Sequence, residues 1–497
     1  MYNKTLEYYF ESLDDKKYID YKEMILNNMS KMKNELISPL ERFEICESLF
    51  DKLDLLICYL KNIIRMGYSS KKVENEYDML LDIESSLEMN KSILIKKIKE
   101  SEDENIFLEK YPCFDEEKYG ARVLAPNFSE MDSKLLISLY NQYVEKISSI
   151  SVKNSSDFSL SKSLKLIDDK SIKSSLIDIL SKQTEVFKNI LIDIKKIQKK
   201  YIISSHYSLE NAIYSFYGIP EDEVTKIKVE FNKFIEIGFC NENIINTINF
   251  TFEDAYYIIS SITKKLGIKF YNFSQKIFSN YWIDYFDREC KQPGSYTNAI
   301  HYTKSGICST VFLNTYKDVI LVAHEMGHII HAMFVSENNS FFNSDFSSIA
   351  SETVALVFEI LTMSEIIKKY KLNINLKQIR NNKISRLVNE LMFENKIFEI
   401  CDCGTDIDIM KERSSNNDKY ITKRDEVFSL YNWFIAVHDF LPTTCLYNFV
   451  YLYSEFNAMK IIEDETDYNI IAERLKKLMK YDLLYPYHIV MKKVLSK

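Results

Sequence analysis

Apolar residues recur every third or fourth position through most of the first 200 residues, the spacing of helices that each bury one stripe. The clearest run is "SPLERFEICESLFDKLDLLICYLKNIIRM", where Phe43, Cys46, Leu49, Phe50, Leu53, Ile57 and Leu60 share a face. Ser38 stands at its N-cap and Pro39 at the first helical position, and Glu41 can reach back to close a capping box. Breakers then cluster between 110 and 132, in "KYPCFDEEKYG" and "LAPNFSEMD". "SVKNSSDFSLSKS" (151–163) is polar and reads as a loop between two lobes.

The pattern changes character between 290 and 314. "KQPGSYTNAIHYTKSGICSTVFLN" carries Pro293, Gly294 and Gly306 and ends in a β-branched and aromatic run of strand length. It predicts a turn and a short hairpin or small antiparallel sheet. A helix follows over "LVAHEMGHIIHAMF" (321–334), then a polar loop (335–348), then a second apolar helix, "IASETVALVFEILTMSEIIKKY" (349–370). Nine glycines and seven prolines in 497 residues supply few tight turns, which argues against sandwiches and barrels and for a mainly α fold. A chain this long divides its core, so two units are expected: an N-terminal helical lobe (1–200) and a second lobe (201–497).

Charge and cysteine usage narrow the classes. A net charge of −8 leaves no basic footprint for nucleic acid. The N-terminal segment lacks the apolar core of a signal peptide, and no run of about 18 apolar residues predicts a membrane span. Nine scattered cysteines form no disulfide framework or zinc knuckle, so reduced thiols and a cytoplasmic location are expected.

Three of the seven histidines fall within eight residues of the first apolar helix. His324 and His328 lie about 40° apart around a helix axis, one turn from each other, so both imidazoles can reach one ion. Glu325 lies about 100° further round, beside such an ion, where a general base belongs. Zinc suits imidazole and carboxylate ligands, and a catalytic site needs a third protein ligand. On the next helix Glu352 and Glu359 are seven residues apart, about 20° in phase, within an otherwise apolar segment. Two carboxylates on one apolar face need a shared reason. Glu352 is assigned as the third ligand and Glu359 as the carboxylate that orients a ligating histidine. His331, a further turn along, is expected behind the ligands or in packing.

H-E-x-G-H-x-x-H followed by E-x6-E resembles the thimet oligopeptidase and oligoendopeptidase F family of zinc peptidases, as a shortened member. "KQPGSY" is similar to that family's substrate loop, "VFLN" to its edge strand, "YKDVILVAHEMGH" to the lead-in to its zinc helix, and "YSLENAIYSFYGIPEDEV" to the opening of its catalytic half. Towards the C-terminus, Trp433, His438 and "YNFVY" (447–451) keep the family's intervals. The chain departs at Val450, where a proline is usual, and at Thr315-Tyr316, where Gly-Thr is usual. The resemblance covers about 200–455 and is vague before it.

The resemblance implies two helical lobes enclosing a deep channel, one Zn2+ per chain, and internal cleavage of short unfolded peptides with Glu325 as base. It implies His438, Tyr447 and Tyr451 as donors to the developing oxyanion. It implies a substrate loop at Gly294, Ser295 and Tyr296, with Leu313 and Asn314 ending a strand that pairs with the peptide backbone. A dedicated processing peptidase for one leader or precursor, and an inactive peptide-binding scaffold, remain open alternatives at this point; retention of Glu325 argues against the scaffold.

Overall fold

The structure, a computed structural model, describes residues 4–32, 34–120, 122, 128–154, 156–165, 169–203, 207–235, 248–288, 291–402, 408, 412, 433, 440–442, 444–462 and 467–496. Helices dominate. The N-terminal part runs through α1 (Lys4–Glu7), α2 (Lys16–Met32), α3 (Pro39–Arg65), α4 (Lys71–Lys99), α5 (Glu104–Lys110), α6 (Glu116–Tyr119) and α7 (Glu130–Ser148). Hairpin β1 (Ser151–Asn154)–β2 (Ser156–Ser159) and helices α8 (Leu160–Lys165) and α9 (Lys170–Lys199) follow.

Helix α3 covers the run read from the apolar stripe, and all seven residues of that stripe are buried. Its cap is half as expected: Ser38 Oγ accepts from Glu41 N–H, but the Glu41 carboxylate turns to the Ser38 hydroxyl and not to its N–H. The polar stretch 151–163 is a correction. It forms a paired hairpin and the start of α8, because antiparallel backbone pairing needs no apolar alternation when the hairpin is short.

The remainder contains α10 (Leu209–Tyr217), α11 (Glu221–Ile235), α12 (Phe252–Leu266), α13 (Ile268–Ser279), strands β3 (Ile283–Asp284), β4 (Tyr296–Ile300) and β5 (Ser305–Ser309), α14 (Tyr316–Ser336) and α15 (Ser348–Lys369). Helices α16 (Leu376–Ile400), α17 (Tyr447–Ile462), α18 (Tyr468–Tyr481) and α19 (Tyr487–Leu495) complete it. The expected small sheet is present but mixed. β4 pairs antiparallel with β5, and β3 adds to the other side of β5 in parallel, giving the order β3-β5-β4. β3 is two residues long, too short to leave a periodic signal.

Among the described residues the apolar side chains form three cores, and the chain's halves share two of them. Ile300, Ile307 and Phe342 complete the core of α2 to α5. Phe393 and Ile397 of α16, with Trp433 and Phe440, complete the core between α7 and α9. The third and largest surrounds α14 and α15. By length and mean hydropathy α14 could cross a membrane, but its apolar window is 78% buried inside the protein, as in a core helix.

Helices α14 and α15 approach closely at Gly327, where an added methyl group would lie 2.6 Å from Ala355 Cα. Backbone cannot yield as a side chain can, so Gly327→Ala should destabilise the protein by about 1–3 kcal/mol or more. A thermal-unfolding midpoint equal to that of the parent would show that the two helices are not so tightly joined.

Candidate active site

The site is built where α14 faces α15. Helix α14 starts from a reciprocal cap in which Thr315 and Asp318 bond each other's backbone N–H groups. That cap fixes the phase with which His324, Glu325 and His328 leave the helix. Helix α15 starts at Ser347, whose N–H and hydroxyl are both held by the Asp482 carboxylate.

His324, His328 and Glu352 converge, each offering one ligand atom within 4.8 Å of the others. The two Nε2 atoms are 3.2 Å apart. Glu352 Oε2 lies 3.3 Å from His324 Nε2, and its Oε1 lies 3.8 Å from His328 Nε2. The outer ring nitrogens are engaged elsewhere: His328 Nδ1 meets Ser351 Oγ at 2.8 Å, and His324 Nδ1 faces Glu359 Oε2 at 3.4 Å. With Nδ1–H donating outward on both rings, both Nε2 lone pairs point inward at a carboxylate. Glu352 Oε2 is buried and forms no hydrogen bond among the described residues. Three acceptors aimed at one another need a cation, and two imidazoles with a carboxylate fit zinc.

Without a metal, a proton on His324 supplies the positive charge that the cluster calls for. Burial lowers the His324 pKa, but the facing Glu352 and Glu359 carboxylates outweigh it and hold the imidazole up at about 10. Burial raises Glu352, and the opposing imidazoles bring it down to about 2. For Glu359, burial is overcome by the Lys383 and Arg380 cations, which hold it well below the usual carboxylate range. Both Glu359 oxygens accept from Lys383 Nζ at 2.7 Å, and Arg380 Nη1 donates to Oε1 at 2.8 Å. Arg380 is gripped in turn by the buried Glu455 of α17 through Nε and Nη2. The result is a buried, charge-balanced support behind His324.

Glu325 leaves α14 on the flank of this cluster, turned toward β4. Its Oε2 accepts a 2.6 Å bond from Thr297 Oγ1, and burial pushes its carboxyl pKa up. On the opposite wall, Tyr447 donates to Glu352 Oε1 at 2.9 Å, and the Tyr451 ring lies 6.5 Å from that of His324. Tyr447 follows Leu446, a non-glycine residue at φ +53°. That strained turn is pinned by Glu394, which accepts from Leu446 N–H and from buried Lys195 at 2.7 Å each. His438 lies outside the described residues.

The remaining expected positions divide between those that fit their reading and those that do not. His331 is fully buried, forms no hydrogen bond among the described residues, and lies against the Phe346 ring at 4.3 Å, so it serves as packing. Leu313 and Asn314 do not end a strand, since β5 stops at Ser309. Leu313 N–H donates to Asp318 and the Asn314 carbonyl accepts from Phe250 N–H, which makes them the lead-in to α14. The outer strand beside Glu325 is β4. Cys308 N–H turns to the Trp282 carbonyl, away from β4, so the backbone groups of its partner Thr297 point away from β5. Ala299, two residues on, does the same, and its carbonyl accepts from Cys58 Sγ of α3 at 3.7 Å. Gly294 has φ +91° with open space around it, Ser295 Oγ donates to Thr310 Oγ1, and Tyr296 opens β4 beneath the Arg65 guanidinium.

Sequence reading missed Thr297, Ser351, Arg380, Lys383 and Glu455. Only Glu455 had a signal, a carboxylate inside the apolar run "NFVYLYSEFNAM".

Residues 123–402, which contain this histidine–glutamate cluster, match the model of peptidase family M3. The chain belongs to peptidase family M3. Over 199 residues, 37% of this chain and 33% of the relative, it is 22% identical to the group B oligopeptidase PepB of Streptococcus agalactiae serotype III. Over 154 residues, 28% of this chain and 25% of the relative, it is 25% identical to the chromosomal oligoendopeptidase F of Lactococcus lactis subsp. cremoris. The aligned stretches thus span a quarter to a third of these curated relatives. Among solved structures, a PZ peptidase A with an inhibitor superposes with a TM-score of 0.75, covering 96% of this chain and 92% of that one, at 12% identity. That likeness shows a shared fold. Tyr447 and Tyr451 lie beyond the family-model match.

Proposed function

We propose that this M3 family member is a zinc-dependent oligoendopeptidase that hydrolyses internal bonds of short, unfolded peptides, with one zinc per chain. The observation that carries the reading is the convergence of His324, His328 and Glu352 with Glu325 held at their flank. Bound among the first three, zinc would supply Lewis acidity, lowering the pKa of a water and polarising the carbonyl that it attacks.

The chain's own residues divide the remaining work. Glu325 takes a proton from the attacking water and delivers it to the departing amine, and burial, which raises its carboxyl pKa, makes it the stronger base for that exchange. Thr297 aims the carboxylate by holding Oε2. Glu359, backed by Arg380 and Lys383, orients His324, and Ser351 orients His328. Tyr447 orients Glu352. Tyr451 and His438 donate to the oxygen on which charge develops. The outward backbone groups of Thr297 offer an extended peptide hydrogen bonds that do not read side chains, whereas the Ala299 carbonyl is already met by Cys58 Sγ. Gly294 and Ser295 lead into the strand beside that peptide, and Tyr296 is held in β4. The reduced cysteines among the described residues support a cytoplasmic setting.

Zinc-loaded protein should cleave a mixture of unstructured peptides internally, lose that activity in a chelator, and leave native globular proteins intact. Cleavage that survives full metal removal would overturn the reading. Tyr447→Phe removes the hydroxyl that donates to Glu352 Oε1 and should weaken zinc binding about 10–100-fold, read by competition with a chromogenic chelator. Unchanged affinity would mean that Tyr447 does not position the carboxylate.

A further inference from the structure

Buried side chains from three other helices hold the backbone that leads into α17. On α9, the Gln198 amide donates to the Leu441 and Thr444 carbonyls at 2.8 Å each, which uses both of its hydrogens. Tyr217 of α10 donates to the Cys445 carbonyl. Glu394 of α16 accepts from Leu446 N–H at 2.7 Å, and Lys195 of α9 donates to the same carboxylate oxygen at 2.7 Å. Lys195 and Gln198 are fully buried and Glu394 is 1% exposed, so water competes for none of these bonds.

A buried ion pair adds little stability that well-packed apolar side chains would not. What apolar side chains could not do here is accept from Leu446 N–H. Leu446 has φ +53°, a conformation that a residue with a Cβ keeps only where its surroundings impose it. The next residue, Tyr447, is the first of α17, and it donates to Glu352 Oε1 at 2.9 Å. A chain of contacts thus runs from Lys195 through Glu394, Leu446 and Tyr447 to the carboxylate of the metal cluster. A shift of about 1 Å at the start of α17 would carry the Tyr447 hydroxyl out of hydrogen-bond range of Glu352.

We propose that Lys195, Gln198 and Glu394 are positioning residues, a clamp from α9 and α16 that sets where α17 begins and so where the Tyr447 hydroxyl meets Glu352. The proposal rests on the reading of Glu352 as a zinc ligand, and it gives α9, far along the chain from the cluster, a share in tuning the metal. Zinc affinity is read on the full chain by competition with a chromogenic chelator, and kcat on an unstructured peptide. Lys195→Met/Glu394→Leu removes both charges together, so no buried charge is left alone, and takes the acceptor from Leu446. It should weaken zinc binding about tenfold and lower kcat by a similar factor. Lys195→Met/Glu394→Gln also removes both charges but keeps an oxygen for Leu446 N–H, and should recover most of each loss. Gln198→Leu, which frees the Leu441 and Thr444 carbonyls, should weaken zinc binding in the same direction. Added to Tyr447→Phe, neither the Met/Leu pair nor Gln198→Leu should weaken zinc binding further, because the hydroxyl that they place is already gone. A merely structural role would give additive losses. Additive losses in folded variants, equal affinities of the Met/Leu and Met/Gln proteins, or parental affinity in Tyr447→Phe alone each overturn the clamp and leave the peptidase reading standing. If Lys195→Met/Glu394→Leu does not fold, Gln198→Leu with and without Tyr447→Phe decides. Parent protein that binds no zinc overturns both.

Discussion

Glu325→Gln should keep one zinc per chain and near-parental peptide affinity while turnover falls by about 10²–10⁴. The substitution preserves shape, and Thr297 Oγ1 can still donate to the amide oxygen, so the side chain stays on the flank of the metal cluster. What is lost is basicity, since an amide cannot take the proton of the attacking water. Glu325 is no part of the His324–His328–Glu352 convergence, so metal content should not change. The carboxyl is buried, and burial disfavours its charged form, so an amide there should leave the unfolding midpoint level or raise it. Loss of rate with gain or retention of stability separates a functional group from a structural one. The decisive measurements are kcat, KM and zinc content on the same preparation. A variant that turns over at the parental rate would place the base elsewhere.

Glu352→Ala should lower zinc affinity by about 10²–10⁴, on the order of one ligand's share of a zinc site. Activity should disappear at ordinary zinc concentrations and return in part when zinc is raised. Glu352 is buried within apolar α15 and has its Oε2 aimed, unbonded, at the two imidazoles. Were it only the ion-pair partner of His324, its removal would leave His324 with Glu359 and should destabilise the metal-free protein. As a ligand, its removal also strips zinc, while the metal-free protein loses the same buried partner of His324 and Tyr447 in either case, so zinc affinity is the discriminating readout. Zinc per chain after dialysis against a weak chelator distinguishes these outcomes. Stoichiometric zinc held at parental affinity would remove Glu352 from the ligand set.

The cluster itself was legible in the chain because it depends on helix periodicity, which is local. His324 and His328 one turn apart, and Glu352 and Glu359 two turns apart, define faces before any tertiary contact exists. The same locality made α3, α14 and α15 readable, with the cap of α3 at Ser38, whereas the caps at Thr315 and Ser347 emerged only from the structure. The C-terminal donors were legible only through family spacing, and of these His438 lies outside the described residues.

Tertiary structure decided everything that depends on how those faces meet. Periodicity put Glu352 and Glu359 on one side of α15. Only the packing of α14 on α15, set by the bare backbone of Gly327, brings one to Nε2 of His324 and the other to its Nδ1. The cations that keep Glu359 ionised come from α16, and their partner Glu455 from α17. Thr297 reaches Glu325 across 28 positions, through a strand whose sequence, "YTNAI", differs in no local way from many others. The outer edge passed from the expected 313–314 stretch to β4, where Cys58 of α3 already meets the Ala299 carbonyl, because a two-residue parallel strand covers the other side of β5. Local pattern encodes which side of an element is apolar; it does not encode the angle, register or partner with which that side is covered, and the chemistry of this site is made of those three.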